Sequence, residues 1–215
     1  MAHAAVHDLP HAVAHATSTG LDSRKLAIWT FIGSECLFFA TLISNYLVNK
    51  QRWPAGPGPF PHTEWTSPAG QTLEPIIEIP LVTLGTALLL FSSLFIVLAL
   101  AGAQRGNRKA LLGWLAATLF CGLFFVGMQV YEFTHFVHKG LTLKTNLFGA
   151  SFFTLTGFHG THVTLGVIWL ATLWIEAFRG RIPPAKSLNL EIGALYWHFV
   201  DIVWVVIFPV VYLIQ

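Results

Sequence analysis

The sequence predicts an all-α fold: a polytopic transmembrane helical bundle of five spans, with the N-terminus cytoplasmic and the C-terminus periplasmic. Three observations lead there. Charged residues make up only 10% of the 215-residue chain, against roughly 25% in an ordinary soluble domain, so a water-facing surface could not be furnished from it. The mean hydropathy is +0.64. The apolar residues gather in runs of about 20 or more, the length that crosses hydrocarbon at ~1.5 Å rise per residue.

The first run is Leu26–Val48, entered just after Arg24 and Lys25. Asn49–Ile79 is the one substantial loop; Trp53-Pro54-Ala55-Gly56-Pro57-Gly58-Pro59 at its start makes it extended and irregular, because proline lacks a donor and fixes its backbone. The second span runs from about Pro80 to Ala101 and the third from about Ala110 to Tyr131. Leu147–Phe178 is longer than a bilayer needs and is expected to tilt or project. The fifth span covers about Ile192–Ile214. No internal repeat is seen, so 25–215 reads as one transmembrane domain and 1–24 as a flexible, cytoplasmic, His-rich tail.

Basic residues set the orientation. With the N-terminus inside, Arg24, Lys25, Arg105, Arg108, Lys109, Arg179, Arg181 and Lys186 face the cytoplasm, and Lys50, Arg52, Lys139 and Lys144 face outward. That is eight against four of the 12 Lys and Arg, and the richer side is the cytoplasmic one. Trp29, Tyr46, Trp174 and Tyr212 near span ends fit interfacial anchors.

Composition also excludes functions. A net charge of +2 does not point to nucleic acid. Cys36 and Cys121 lie inside apolar spans, which suits packing rather than a disulfide framework or metal site. Met1–Gly20 has no basic start and no apolar core, and does not read as a cleaved signal.

Five groups of residues carry chemistry. Glu35 lies about 15 Å along the helix from Arg24–Lys25, near the middle of the hydrocarbon, where an ionisable group marks function by default. The plainer reading is a neutral acid tying two helices together. His159 and His162, three apart in Gly157-Phe158-His159-Gly160-Thr161-His162, share one face of the fourth span. They suit metal or haem ligation, hydrogen bonding across the bundle to Glu35, or polar packing where Gly157 and Gly160 admit a close helix. His198 and Asp201 meet at i,i+3 beside Trp197, near the inner end of the fifth span, where they suit docking of an anionic lipid or of a partner subunit. Glu132 follows Gln129 and Tyr131 at the outer end of the third span and reads as interfacial. His3, His7, His11 and His15 repeat every four residues, but Pro10 breaks the stripe as one helix and its purpose stays open.

Taken together, the motifs resemble subunit III of the haem–copper oxygen reductases, the cytochrome c and quinol oxidases. The residues that carry the likeness are Gly33-Ser34-Glu35-Cys36-Leu37-Phe38-Phe39, Gly127-Met128-Gln129-Val130-Tyr131-Glu132, Phe152-Phe153 with Gly157-Phe158-His159-Gly160-Thr161-His162-Val163, and Tyr196-Trp197-His198-Phe199-Val200-Asp201-Ile202-Val203-Trp204. Mitochondrial-type members have seven spans; this chain resembles the five-span bacterial form, without the first helix pair.

The resemblance implies an accessory, non-redox subunit in a bacterial inner membrane. It has no cofactor and no metal of its own, since haem and copper belong to subunits I and II. It stabilises subunit I and supports its proton uptake, beside bound phospholipid and, in some assemblies, a small subunit IV or a larger respiratory supercomplex. Glu35 matches the family's intramembrane carboxylate, which reacts with hydrophobic carbodiimides, a reactivity that fits a protonated acid in an apolar setting. A bond from Glu35 to His159 or His162 is the expectation. The alternatives are a haem-binding membrane cytochrome using those histidines and a proton-coupled transporter working through Glu35.

Overall fold

In the computed structural model of the chain, residues 22–50, 58–59, 61, 64–66, 72–73, 77, 79–182 and 187–214 are described. The His-rich repeat and most of the Pro-rich loop start lie outside these residues. Five long helices carry the fold: α1 Ser23–Lys50, α2 Ile79–Gln104, α3 Arg108–His138, α4 Leu147–Phe178 and α5 Leu188–Phe208. All five are long and apolar enough to cross a membrane, α5 together with the π turn Pro209–Leu213 that continues it. Pro209 has no N–H to give to the α-helical ladder, and the hydrogen bonding changes there. Between α1 and α2, where the sequence reads as irregular, β1 Trp65–Thr66 and β2 Thr72–Leu73 form a minimal antiparallel ladder.

The helix ends have local causes. Asp22 accepts the Arg24 backbone N–H at 2.9 Å and so caps α1. The Arg24 side chain and then that backbone bond hold the Asp22 carboxyl below its ordinary value of 3.8. The cap is therefore complete above that value and is lost only as pH falls through the lowered one. Asn107 and Asn146 cap α3 and α4 through side-chain bonds from Ala110 N and Gly149 N. Gly140 (φ 88°) and Gly180 (φ 71°) follow α3 and α4 in the left-handed conformation that glycine adopts without strain.

α2, α3, α4 and α5 pack in a ring, and α1 lies outside it against α4 and α5. The buried residues of α1 are Ile28, Phe39 and Tyr46, spaced on one face, while the rest of that helix is largely exposed. The largest enclosed side chains are Trp197, Trp204, Tyr46, Tyr212, Phe125 and Phe136. Polar ties hold both ends of the bundle. Lys25 Nζ meets Glu191 Oε1 at 2.7 Å, and Lys50 Nζ meets the Ile214 carbonyl at 2.6 Å. Those two contacts, one at each end, show α1 and α5 running parallel. Arg108 covers the Ala177 and Phe178 carbonyls at the end of α4.

Two helices depart from the hydropathy reading. α3 continues past Tyr131 to His138, because its last turns still bury Glu132 and Phe136 although they are less apolar. α5 starts at Leu188 rather than about Ile192. His198 and Asp201 are therefore about 15 Å and more from its start at ~1.5 Å per residue.

Candidate functional site

Glu35 and His162 meet between α1 and α4. Glu35 Oε2 lies 3.3 Å from His162 Nε2, with the two side chains 21% and 14% exposed. The other ring nitrogen, Nδ1, is 2.7 Å from the Phe158 carbonyl. A carbonyl only accepts, so Nδ1 carries a hydrogen and Nε2 faces the carboxyl group. One proton shared between Oε2 and Nε2 then satisfies both groups. Phe39 stands edge-on to the His162 ring at 5.0 Å, and Tyr196 Oη donates to the His162 carbonyl at 3.1 Å. Residues of α1, α4 and α5 thus converge on His162.

His159 does something else. It is 0% exposed, lies almost flat on Trp204 at 4.8 Å and meets Phe125 at right angles at 5.9 Å. Neither of its ring nitrogens has a hydrogen-bond partner among the described residues. Of the two histidines named as partners for Glu35, the structure brings His162 to the carboxylate and puts His159 in an aromatic slot.

On α5, Trp197, His198 and Asp201 face α2. Trp197 Nε1 donates to Ser92 Oγ at 2.9 Å, and Trp204 Nε1 donates to Thr86 Oγ1 at 2.9 Å. Ser93 Oγ is 3.0 Å from His198 Nδ1 and is hydrogen-bonded to Asp201 Oδ2. Trp197 is 1% exposed and Asp201 4%. Both are enclosed by this chain itself, so of the three residues expected to dock a lipid or partner subunit, His198 alone keeps a partly exposed side chain.

Small residues make these contacts fit. A Cβ on Gly160 would collide with the Gln129 side-chain amide, which donates to the Thr156 carbonyl at 2.7 Å. Gly157 has only an ordinary contact there, so of the two glycines expected to admit a neighbouring helix, Gly160 is the one in tight contact. Glu132, expected at an interface, is buried and accepts from Tyr212 Oη at 2.9 Å.

Sequence reasoning missed Thr86, Ser92 and Ser93. For Thr86 and Ser92 a signal was present: they are six residues apart and Trp197 and Trp204 seven, so two antiparallel helices can match indole donors to hydroxyls. Among the described residues no group of three or more His, Cys, Asp or Glu is placed to hold a metal ion.

The sequence matches the family model for Cytochrome c oxidase subunit III over residues 9–215. The chain belongs to that family. The resemblance carried by the four motifs is borne out. Among relatives, it is 38% identical over 188 residues to a quinol oxidase subunit 3 of Bacillus subtilis (strain 168), covering 87% of this chain and 85% of that one. It is 35% identical over 191 residues to a cytochrome c oxidase subunit 3 of Bacillus sp. (strain PS3), covering 89% and 86%. A probable quinol oxidase subunit 3 of Staphylococcus aureus (strain USA300) is 36% identical over 209 residues, covering 94% and 97%. Relatives named for the two oxidase types are thus similar to this subunit III chain to nearly the same degree. Five apolar spans and relatives of this kind make it a multi-pass bacterial membrane protein.

Proposed function

We infer that this chain is the accessory, non-redox subunit III of a haem–copper terminal oxidase in the bacterial plasma membrane. It packs beside subunit I, which with subunit II holds the haems and copper, and it stabilises the oxygen-reducing site and supports proton uptake into it. Family membership over nearly the whole chain is the observation that carries this reading. The uses of its histidines agree with it. His162 is committed to Glu35 and the Phe158 carbonyl, and His159 is enclosed by Trp204 and Phe125, so neither offers an open ring nitrogen for haem. The intramembrane polar groups tie helices together, as a scaffold needs.

The same reading covers a quinol or a cytochrome c donor, because donor chemistry belongs to the partner subunits. The basic-residue balance supports a cytoplasmic N-terminus. Lipid or subunit docking at the α2–α5 face would rest on His198, with Trp197 and Asp201 supporting it from inside.

Removing the chain from the purified oxidase tests the role. The depleted complex is expected to keep its haem spectrum, to begin O2 reduction, and then to lose activity during turnover with slower proton uptake. A depleted complex with the lifetime and proton uptake of the intact one would overturn the assignment.

A further inference from the structure

Hydroxyls within the spans commonly bond back to their own helix. Thr86 reaches the Val82 carbonyl at 2.8 Å, Ser92 that of Leu89 at 2.5 Å, and Thr156 that of Phe152 at 2.7 Å. Ser93 departs from this pattern. Its Oγ crosses to α5 and stands between two titratable side chains, 3.0 Å from His198 Nδ1 and hydrogen-bonded to Asp201 Oδ2. Asp201 is buried, and its other oxygen, Oδ1, has no hydrogen-bond partner among the described residues. His198 is partly exposed. A continuous path therefore runs from the bundle surface, through an imidazole and a hydroxyl, to an enclosed carboxyl group.

We propose that Ser93, His198 and Asp201 form an intramembrane proton-holding site in which the Ser93 hydroxyl passes a proton between His198 and Asp201. The site starts with an ionised Asp201 and a neutral His198 that carries its hydrogen on Nδ1. A proton arriving at Nε2 makes the imidazolium, whose Nδ1–H donates to Ser93 Oγ while the Ser93 O–H donates to Asp201 Oδ2. The Nδ1 proton then moves to Ser93 Oγ as the hydroxyl's own proton moves to Oδ2. One N–H and one O–H bond break, two O–H bonds form, and no electron changes hands. The product is a neutral imidazole, an intact serine and a carboxylic acid, with no separated charge inside the membrane.

The surroundings leave the site to these three groups. α2 carries no ionisable residue. On α1, Glu35 is engaged with His162 of α4, and the remaining α4 histidine, His159, lies on Trp204. On α3, Glu132 is bonded to Tyr212, and Cys121 is a buried thiol. The site is separate from the Glu35–His162 pair and does not depend on the oxidase assignment.

Infrared spectroscopy of the full-length protein in lipid nanodiscs tests it, with aspartate carboxyl carbons labelled with carbon-13. The chain has three aspartates, Asp8, Asp22 and Asp201, and the first two precede the first span, so the label separates Asp201 from Glu35 and Glu132. The expected result is a protonated-aspartate C=O band that Asp201→Asn removes. Transfer to D2O shifts this band, and Ser93→Ala slows that shift at least about tenfold, while Ser93→Thr, which keeps a hydroxyl, restores it. Ser93→Ala removes one oxygen atom and is compared at wild-type helix content, so its reading stands even if Asp201→Asn fails to fold. A protonated-aspartate band absent at every pH at which the protein stays folded would overturn the proposal. So would a Ser93→Ala variant exchanging at the wild-type rate.

Discussion

Replacing Trp197 by alanine is expected to lower the unfolding free energy by about 3–5 kcal/mol, the range for deleting a large aromatic from a filled core. The cause is the slot the indole fills. Its ring lies where a Cβ on Gly122 of α3 would stand 2.7 Å away and one on Gly166 of α4 3.0 Å away, while Nε1 reaches Ser92 of α2. One side chain therefore joins α2, α3, α4 and α5, and lipid tails cannot refill the cavity it leaves at 1% exposure. Trp197→Phe should cost much less, about 0.6 kcal/mol for the cross-helix bond plus a smaller void. Ser92 keeps its bond to the Leu89 carbonyl when the indole is gone, so no hydroxyl is stranded. Titration of the purified protein with a denaturing detergent, followed by helix content, reads both values. An alanine variant within about 1 kcal/mol of wild type, below the usual range for such a deletion, would show that the slot collapses freely.

Glu35→Ala is the second large effect. It leaves His162 Nε2 facing apolar surroundings without its 3.3 Å partner, at a cost of about 1–3 kcal/mol for an unsatisfied polar group. Glu35→Gln retains a hydrogen-bonding amide and should lie closer to wild type. A double-mutant cycle with His162→Ala isolates the pair, because the second loss costs less once the first partner is gone. Coupling near zero would mean that the contact seen between α1 and α4 does not hold the helices together. α1 buries little else, with Ile28, Phe39 and Tyr46 as its enclosed side chains, so loosening should appear first at that helix. The haem spectrum of the assembled complex should stay unchanged in Glu35→Ala; loss of haem would contradict a purely structural pair.

How much of this was legible before the structure depends on what each residue must satisfy. Apolar runs show where hydrocarbon is crossed, and all five spans follow from them. They do not show where a helix stops, since α3 runs on through Glu132–His138 and α5 begins with Leu188-Asn189-Leu190-Glu191. Those turns bury one face, Glu132 and Phe136 on α3 and Leu190 on α5, which mean hydropathy does not register. Glu35 stood out because a carboxylate in hydrocarbon requires a partner, and histidines three apart on another span were the visible candidates. Choosing between His159 and His162 required helix rotation. Phe39 and Phe38 of α1 flank His162, whereas His159 turns toward Trp204 and Phe125. Ser93 was hidden for a different reason: serines in spans usually satisfy themselves on their own backbone, so nothing in the sequence singles out one that crosses to another helix.

The central claim is that the chain works within a haem-bearing assembly while holding no redox centre itself. A reduced-minus-oxidised visible spectrum tests this most directly, taken on affinity-tagged protein before and after a harsher detergent strips its partners. The account predicts haem in the mild preparation that leaves with the partner subunits, with none retained by this chain. Haem that stays with the stripped chain would contradict it and return His159 and His162 to the role of ligands.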